Sequence, residues 1–234
     1  MTLGLGEAEW AALTLSLKVS AWAVAISLPP AIAVAWVLAR KRFPGKALLS
    51  ALVHLPLVLP PVVTGYLLLL TFGGNGVVGR VLADWGIVLA FRWTGAALAA
   101  GIMGFPLMVR AIRLAIEAVD PKLEEAAETL GAGRAARFRP VTLPRIAPGI
   151  LAGVVLGFAK AMGEFGATIT FVANIPGETQ TLPSAVYAFL QVPGGEAAAI
   201  RLVLLAIIVA LGAVLVSEWL ARRVARRIGQ EAPR

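Results

Sequence analysis

The stretch that decides the fold is residues 146–172, IAPGILAGVVLGFAKAMGEFGATITFV. It carries only two charged side chains, Lys160 and Glu164, and it is longer than the roughly 20 apolar residues that a helix needs to cross a bilayer. Charges inside a membrane cost at least about 2.5 kcal/mol each, so they usually face a bundle interior or water. Their four-residue spacing allows an ion pair along one helix face. The stretch therefore predicts a spanning helix inside a bundle.

The composition of the whole chain agrees with a membrane protein. Of its 234 residues, 59% are hydrophobic and only 15% are charged, whereas soluble domains average about 25% charged residues. The mean hydropathy is +0.85. The absence of cysteine excludes disulfides and thiolate metal sites, and a single histidine argues against a histidine-based metal centre. We expect one membrane domain covering residues 1–234.

Four further stretches are apolar enough to span a bilayer, or nearly so. They are residues 12–39, 47–72, 93–109 and 202–220. Two shorter apolar stretches, at 86–91 and 182–192, are too short to cross, and we interpret them as interfacial or re-entrant. The sequence thus predicts an all-α fold: a polytopic membrane bundle of five transmembrane helices.

The basic residues indicate the orientation of the bundle. Sixteen of the 21 Lys and Arg residues lie in the segments 40–46, 110–145 and 222–234, and only Arg80, Arg92 and Arg201 lie in the opposite connections. Basic residues stay on the cytoplasmic side, so the N-terminus is predicted outside and the C-terminus inside. The positive charge is explained by topology, and nucleic-acid binding loses its main support.

The longest predicted cytoplasmic connection, residues 111–144, contains a helix pattern. Asp120 suits a helix cap, Pro121 the first helical position, and Gly131 a helix end. Between them, one stripe of the helix carries small or aliphatic residues at positions i, i+3, i+4 and i+7, namely Leu123, Ala126, Ala127 and Leu130. The residues alone allow a solvated helix or a helix that docks on a partner. A lipid-surface helix is disfavoured because its acids would oppose anionic headgroups.

A family resemblance favours the docked helix. The segment 125–144, EAAETLGAGRAARFRPVTLP, resembles the cytoplasmic loop of ABC importer permeases, with Val141 where isoleucine is usual. In that family the loop forms a coupling helix that docks in a cleft of the ATP-hydrolysing subunit. The resemblance covers Glu125, Ala126, Ala127, Gly131, Leu143 and Pro144, and the helical stripe adds Leu123 and Leu130; together these eight residues are the predicted ATPase-coupling set.

The resemblance extends over nearly the whole chain. Segments 39–49 (ARKRFPGKALL), 55–69 (LPLVLPPVVTGYLLL) and 161–187 (AMGEFGATITFVANIPGETQTLPSAVY) are similar to the molybdate ABC transporter permeases. This implies a type I importer permease that works as a homodimer in lipid, with two ATP-binding cassette ATPase subunits and an external molybdate-binding protein. ATP and Mg²⁺ would belong to the ATPase, and this chain would bind no cofactor. A tungstate or sulfate permease is the alternative within the family, and a passive channel or a membrane scaffold is the alternative outside it.

The candidate substrate pathway or gate consists of Glu164, Phe165, Gly166, Thr168 and Thr64. The Lys160–Glu164 pair has two interpretations: it neutralises itself at a helix interface, or Glu164 helps to set a gate where two subunits meet. A carboxylate would repel a dianion, so neutral groups are better ligand candidates. These are Thr168, Thr170, Asn174, Thr179, Thr181 and Ser184, although such side chains also commonly bond within their own helix or turn.

The prolines of the second span, His54 and Lys18 are the remaining notable residues in the predicted spans. Pro56, Pro60 and Pro61 predict a kink in the second span, which either lines the pore or packs statically. We interpret His54 as a satisfied interface residue and Lys18 as a lysine that snorkels to the outer surface.

The sequence contains no motif that indicates an enzyme activity. The sequence contains no complete phosphate-binding loop, and its only aspartates, Asp84 and Asp120, lie on predicted opposite faces. We therefore expect neither catalytic nor metal-binding residues in this chain.

Overall fold

A computed structural model of the chain describes residues 6–120, 129, 133 and 142–230. The regular secondary structure of these residues is helical, without strands. In chain order the helices are α1 (Glu7–Arg40), α2 (Lys46–Val58), α3 (Pro61–Phe72), α4 (Val77–Asp84), α5 (Trp93–Glu117), α6 (Leu143–Met162), α7 (Gly166–Val172), α8 (Leu182–Leu190) and α9 (Glu196–Gln230).

The five predicted spans correspond to four long apolar helices and one broken pair. Helices α1, α5, α6 and the first part of α9 are each long and apolar enough to cross a membrane. Helices α2 and α3 meet that test only together, and they are bent by 112°. The all-α bundle with up to five spans is thus confirmed within the described residues.

The kink predicted in the second span is present, and it divides residues 47–72 between α2 and α3. The break falls at Leu59 and Pro60, where Leu59 is extended, at φ −71° and ψ 142°. A proline pushes the residue before it out of the α-helical region, and Pro60 and Pro61 both lack a backbone N–H. Pro61 then begins α3, a position that tolerates proline because the first amides of a helix have no intrahelical acceptor.

The deciding stretch 146–172 is also divided. Its first part lies in α6, which ends at Met162, and its last part forms the short helix α7. Between them, Gly163, Glu164 and Phe165 leave the helical path. Of the two shorter apolar stretches, 182–192 contains α8, whereas 86–91 forms no helix.

Helix α5 is the centre of the bundle. In its most apolar window 67% of the residues are buried, compared with 11% in α9. Small residues let its neighbours approach closely: a methyl group on Gly104 would lie only 3.2 Å from the carbonyl oxygen of Gly157 in α6. Helix α9 instead leaves most of its apolar side chains exposed, so this face is available to lipid or another subunit.

Two polar contacts tie the predicted outer end of α1 to the C-terminal part of the chain. The Ser16 hydroxyl accepts a 2.6 Å hydrogen bond from the backbone N–H of Leu182, the first residue of α8. The buried Glu9 carboxylate pairs with Arg201 of α9 at 2.7 Å. These contacts join residues that are far apart in sequence, so they fix where α8 and α9 sit against α1.

Ser16→Ala should lower the thermal stability of the protein in detergent. It leaves a buried N–H at the start of α8 without its acceptor, which typically costs about 1–3 kcal/mol. A fluorescence melting curve measures the effect. Thr14→Ala is the matched control, because the Thr14 hydroxyl is exposed and bonds only within α1; equal melting temperatures for the two variants would contradict the importance of the α1–α8 contact.

Candidate functional site

The candidate site lies where α3 crosses α7, and two glycines make the crossing close. A methyl group added to Gly65 would lie 2.5 Å from the backbone oxygen of Ala167 and 2.9 Å from Cβ of Thr170. A methyl group added to Gly166 would lie 2.7 Å from Cβ of Pro61. Since real Cβ atoms essentially never lie within 3.0 Å of another heavy atom, neither position accepts a larger residue without separating the helices.

Glu164 sits at the break between α6 and α7, and both of its carboxylate oxygens are bonded. Oε2 accepts a 2.7 Å hydrogen bond from Nζ of Lys160, and Oε1 accepts a 3.0 Å hydrogen bond from the backbone N–H of Ala167. The side chain is only 1% exposed. The predicted ion pair is present, and Glu164 additionally caps the first turn of α7.

Phe165 and Gly166 complete this corner on its two other sides. The ring of Phe165 contacts the ring of Tyr187 in α8, with centroids 5.2 Å apart, while Gly166 touches α3. The corner therefore joins α3, α7 and α8. Sequence reasoning missed Tyr187, because no local pattern pairs it with Phe165.

Most of the predicted hydroxyl donors bond within their own segment. The Thr168 hydroxyl donates to the carbonyl of Phe165 at 2.9 Å, and that of Thr170 donates to Gly166 at 2.9 Å. Thr179 accepts from the N–H of Ile175, and Ser184 donates to the carbonyl of Thr181. These contacts match the helix and turn bonding that was the alternative to a ligand role.

Two polar atoms near the crossing differ from this pattern. The Thr64 hydroxyl oxygen and the Asn174 side-chain oxygen are both buried, and neither has a hydrogen-bond partner among the described residues. Thr64 precedes Gly65 on α3, and Asn174 lies two residues beyond the end of α7. Buried polar groups usually have a partner, so these atoms retain capacity to bond to water or a transient solute.

The structure thus brings all five residues of the predicted pathway set into one region. Glu164, Phe165, Gly166 and Thr168 form the α6–α7 corner and the start of α7. Thr64 reaches the same region because its neighbour Gly65 packs on Ala167. A role of these residues in gating stays a prediction.

Most of the predicted coupling set lies outside the described residues: Leu123, Glu125, Ala126, Ala127, Leu130 and Gly131. Leu143 and Pro144 are described and form the first turn of α6. Leu143 is 38% exposed. An exposed leucine at this helix start leaves an apolar contact available at the predicted cytoplasmic end of α6.

Two further ionisable residues of the predicted spans, His54 and Lys18, contact partners away from this site. His54 hydrogen-bonds through Nδ1 to the carbonyl oxygen of Ser50 at 2.7 Å, as expected for a satisfied histidine. Lys18 does more than snorkel: its ammonium lies 3.7 Å from the ring centroid of Trp93, which is a cation–π contact. Neither residue belongs to the α3–α7 crossing.

A large groove elsewhere in the described part of the chain is not suited to a small anion. It is a groove of about 900 Å³ between α1, α2 and α5. Its lining is apolar apart from the hydroxyls of Ser27 and Thr94 and the indoles of Trp22 and Trp93. Within the described part of the chain, no three His, Asp or Glu side chains are grouped to hold a metal ion.

The chain is similar in sequence to known transport proteins. Residues 31–230 match the family model "binding-protein-dependent transport system inner membrane component". The chain is 60% identical over 227 residues to the molybdenum transport system permease protein ModB of Escherichia coli (strain K12), covering 97% of this chain and 99% of that protein. It is 42% identical over 157 residues to the sulfate transport system permease protein CysT of Salmonella typhimurium, covering 67% of this chain and 57% of that protein.

The fold also matches solved transporters. A bacterial ABC transporter involved in the import of the acidic polysaccharide alginate aligns with a TM-score of 0.70 at 20% identity, over 97% of this chain and 82% of that chain. At this identity the likeness concerns the fold, and it agrees with the helical architecture described above.

Proposed function

The chain belongs to the family of binding-protein-dependent transport system inner membrane components, and on this basis we propose that it is the permease subunit of an ATP-driven molybdate importer. It moves molybdate into the cytoplasm by alternating access. The observation that carries the proposal is the 60% identity to a molybdenum permease over nearly the full length of both chains. The apolar spans place it in the bacterial inner membrane.

The permease works with partners that supply the energy and the substrate. Two such chains form a homodimer in lipid around a shared pathway, two ATP-binding cassette subunits hold ATP and Mg²⁺, and an external binding protein delivers molybdate. The family description names the dependence on a binding protein. The long, exposed apolar face of α9 is compatible with lipid or a second permease.

We infer a mechanical route from the ATPase to the pathway. Motion of the ATPase displaces residues 121–138, which connect α5 to α6. After the end of α6 the chain passes through Glu164, whose carboxylate accepts a hydrogen bond from the first turn of α7, and α7 contacts α3 at Gly65. Because close-packed helices transmit displacement rather than absorb it, a shift of α6 also moves α3 and Thr64.

A sulfate permease is the second candidate. The sulfate permease of Salmonella typhimurium is 42% identical over two thirds of this chain, and sulfate and molybdate are both tetrahedral dianions. Molybdate is preferred because the similarity to the molybdenum permease is higher and covers nearly all of both chains.

Purification of the complex tests the partners. The tagged permease should copurify with an ATPase subunit that carries a phosphate-binding loop, and the external binding protein should bind molybdate more tightly than sulfate in a calorimetric titration. A permease that purifies without any ATPase would favour a channel or a scaffold. A binding protein that prefers sulfate would assign the chain to sulfate transport.

A further inference from the structure

The Lys160–Glu164 pair is exposed on one side only. The Glu164 side chain is 1% exposed, whereas that of Lys160 is 29% exposed. Both Glu164 oxygens accept hydrogen bonds, one from Lys160 and one from the Ala167 amide. A lysine ammonium has three donors, and among the described residues Lys160 uses only the bond to Glu164. The exposed side of the pair therefore carries the Lys160 ammonium, which has N–H donors to spare, and the Glu164 carboxylate is buried behind it.

The open side of Lys160 does not suit lipid. Lys160 lies fifteen positions after Arg145 on α6, or about 22 Å along the helix at 1.5 Å per residue, which is within a hydrocarbon region roughly 30 Å thick. A charge at such a depth faces a bundle interior or a water-filled cavity. Residues on either side of Lys160 in sequence are also exposed: Leu156 and Ala159 on α6, and Gly163 just beyond its end. This part of α6 is therefore a surface that a pathway could follow.

We propose that Lys160 is the residue that attracts the oxyanion within the pathway, and that Glu164 is a positioning residue that holds it there. The inference rests on the proposed function and deepens it, because it assigns a specific cationic contact to a tetrahedral dianion. Bonds from an ammonium to an anionic oxygen are roughly twice as strong as neutral ones. The neutral hydroxyls in the same region are mostly engaged within their own segments.

The arrangement also allows the anion to leave. Conduction requires a site that is favourable enough to enter yet weak enough to release. Lys160 is partly neutralised by Glu164 at 2.7 Å, so it offers attraction without forming a closed cationic cage. This explains why a carboxylate can stand in an anion pathway: it is buried and bonded, and the ammonium lies on the exposed side.

The test measures molybdate uptake per ATP hydrolysed by the complete transporter in proteoliposomes supplied with the external binding protein. Glu164→Gln is the matched background, because an amide oxygen can still accept from Ala167. The double variant Lys160→Gln with Glu164→Gln removes the cation without leaving a buried charge unpaired. We expect uptake by the double variant to fall at least ~10-fold below that by Glu164→Gln, as for loss of a hydrogen bond to a charged group.

Two further variants separate this role from a structural one. Lys160→Arg should keep uptake near the wild-type level, since it keeps the positive charge. Lys18→Gln removes a different intramembrane cation, the one stacked on Trp93, and should leave uptake unchanged. In the double variant, stimulation of the ATPase by the binding protein should persist, because the helices still move.

The opposite results would overturn the inference. Equal uptake by the double variant and by Glu164→Gln would show that the pair only neutralises itself. An inactive Glu164→Gln would assign the site to Glu164 instead. Failure of the wild-type complex to take up molybdate is a separate result, which would refute the proposed function.

Discussion

Gly65→Ala is expected to stop ATP-dependent uptake while leaving the protein in the membrane. The added methyl group would lie 2.5 Å from the Ala167 carbonyl oxygen and 2.9 Å from its Cα, and backbone atoms cannot rotate away as a side chain can. Extra atoms in a packed contact typically cost about 1–3 kcal/mol. An energy of that size changes a conformational equilibrium by roughly 5–150-fold.

The expected defect is mechanical. If α3 and α7 are forced apart at the crossing, displacement of α6 no longer reaches Thr64 and the pathway. Uptake by reconstituted vesicles should therefore fall strongly, while the amount of protein recovered from the membrane stays near the wild-type level.

Gly212→Ala is the matched control for this variant. Gly212 lies within α9, and a methyl group there would meet no atom within 4 Å. Alanine also favours a helix over glycine by about 1 kcal/mol. Normal uptake by both variants would contradict the importance of the α3–α7 contact, and loss of uptake by both would show a general intolerance of the bundle.

Glu125→Arg is expected to separate ATP hydrolysis from transport. The family resemblance assigns Glu125 to the helix that docks on the ATPase, and reversal of its charge would oppose basic groups that receive it. Gly131→Pro should have the same effect by changing the end of that helix, because proline fixes φ and removes an N–H. In both variants the protein should insert normally, uptake should fall to background, and the binding protein should no longer stimulate the ATPase.

The control for these variants is a charge change on α5, outside the predicted coupling helix. Arg113→Gln removes an exposed cation that pairs with Glu117 near the end of α5, and exposed pairs of this kind contribute little to stability. It should retain uptake. Normal uptake together with normal ATPase stimulation in Glu125→Arg would remove the coupling role from residues 121–138.

The sequence was informative wherever a local pattern determines the structure. The length of apolar stretches located the spans, and the four-residue spacing predicted the Lys160–Glu164 pair that the structure contains. His54 was expected to have an internal partner and has one. For Thr168 and Thr170, which were candidate ligands, the alternative of bonding within their own helix is what the structure contains.

The contacts that assemble the site could not be predicted from local patterns. Prolines indicated a bend in the second span, but its size, 112°, depends on the helices that pack around it. The closeness of Gly65 to Ala167 and the bond from Leu182 to Ser16 join residues about a hundred or more positions apart. A single sequence gives no periodicity that links such positions.

The most direct measurement is ATP-dependent uptake of molybdate by vesicles that contain this permease, its ATPase and the external binding protein. Molybdate should accumulate only when ATP is present, the binding protein should be required, and an equal concentration of sulfate should compete weakly. Accumulation without ATP or without the binding protein would contradict an ATP-driven importer, and preferential uptake of sulfate would contradict the assignment to molybdate.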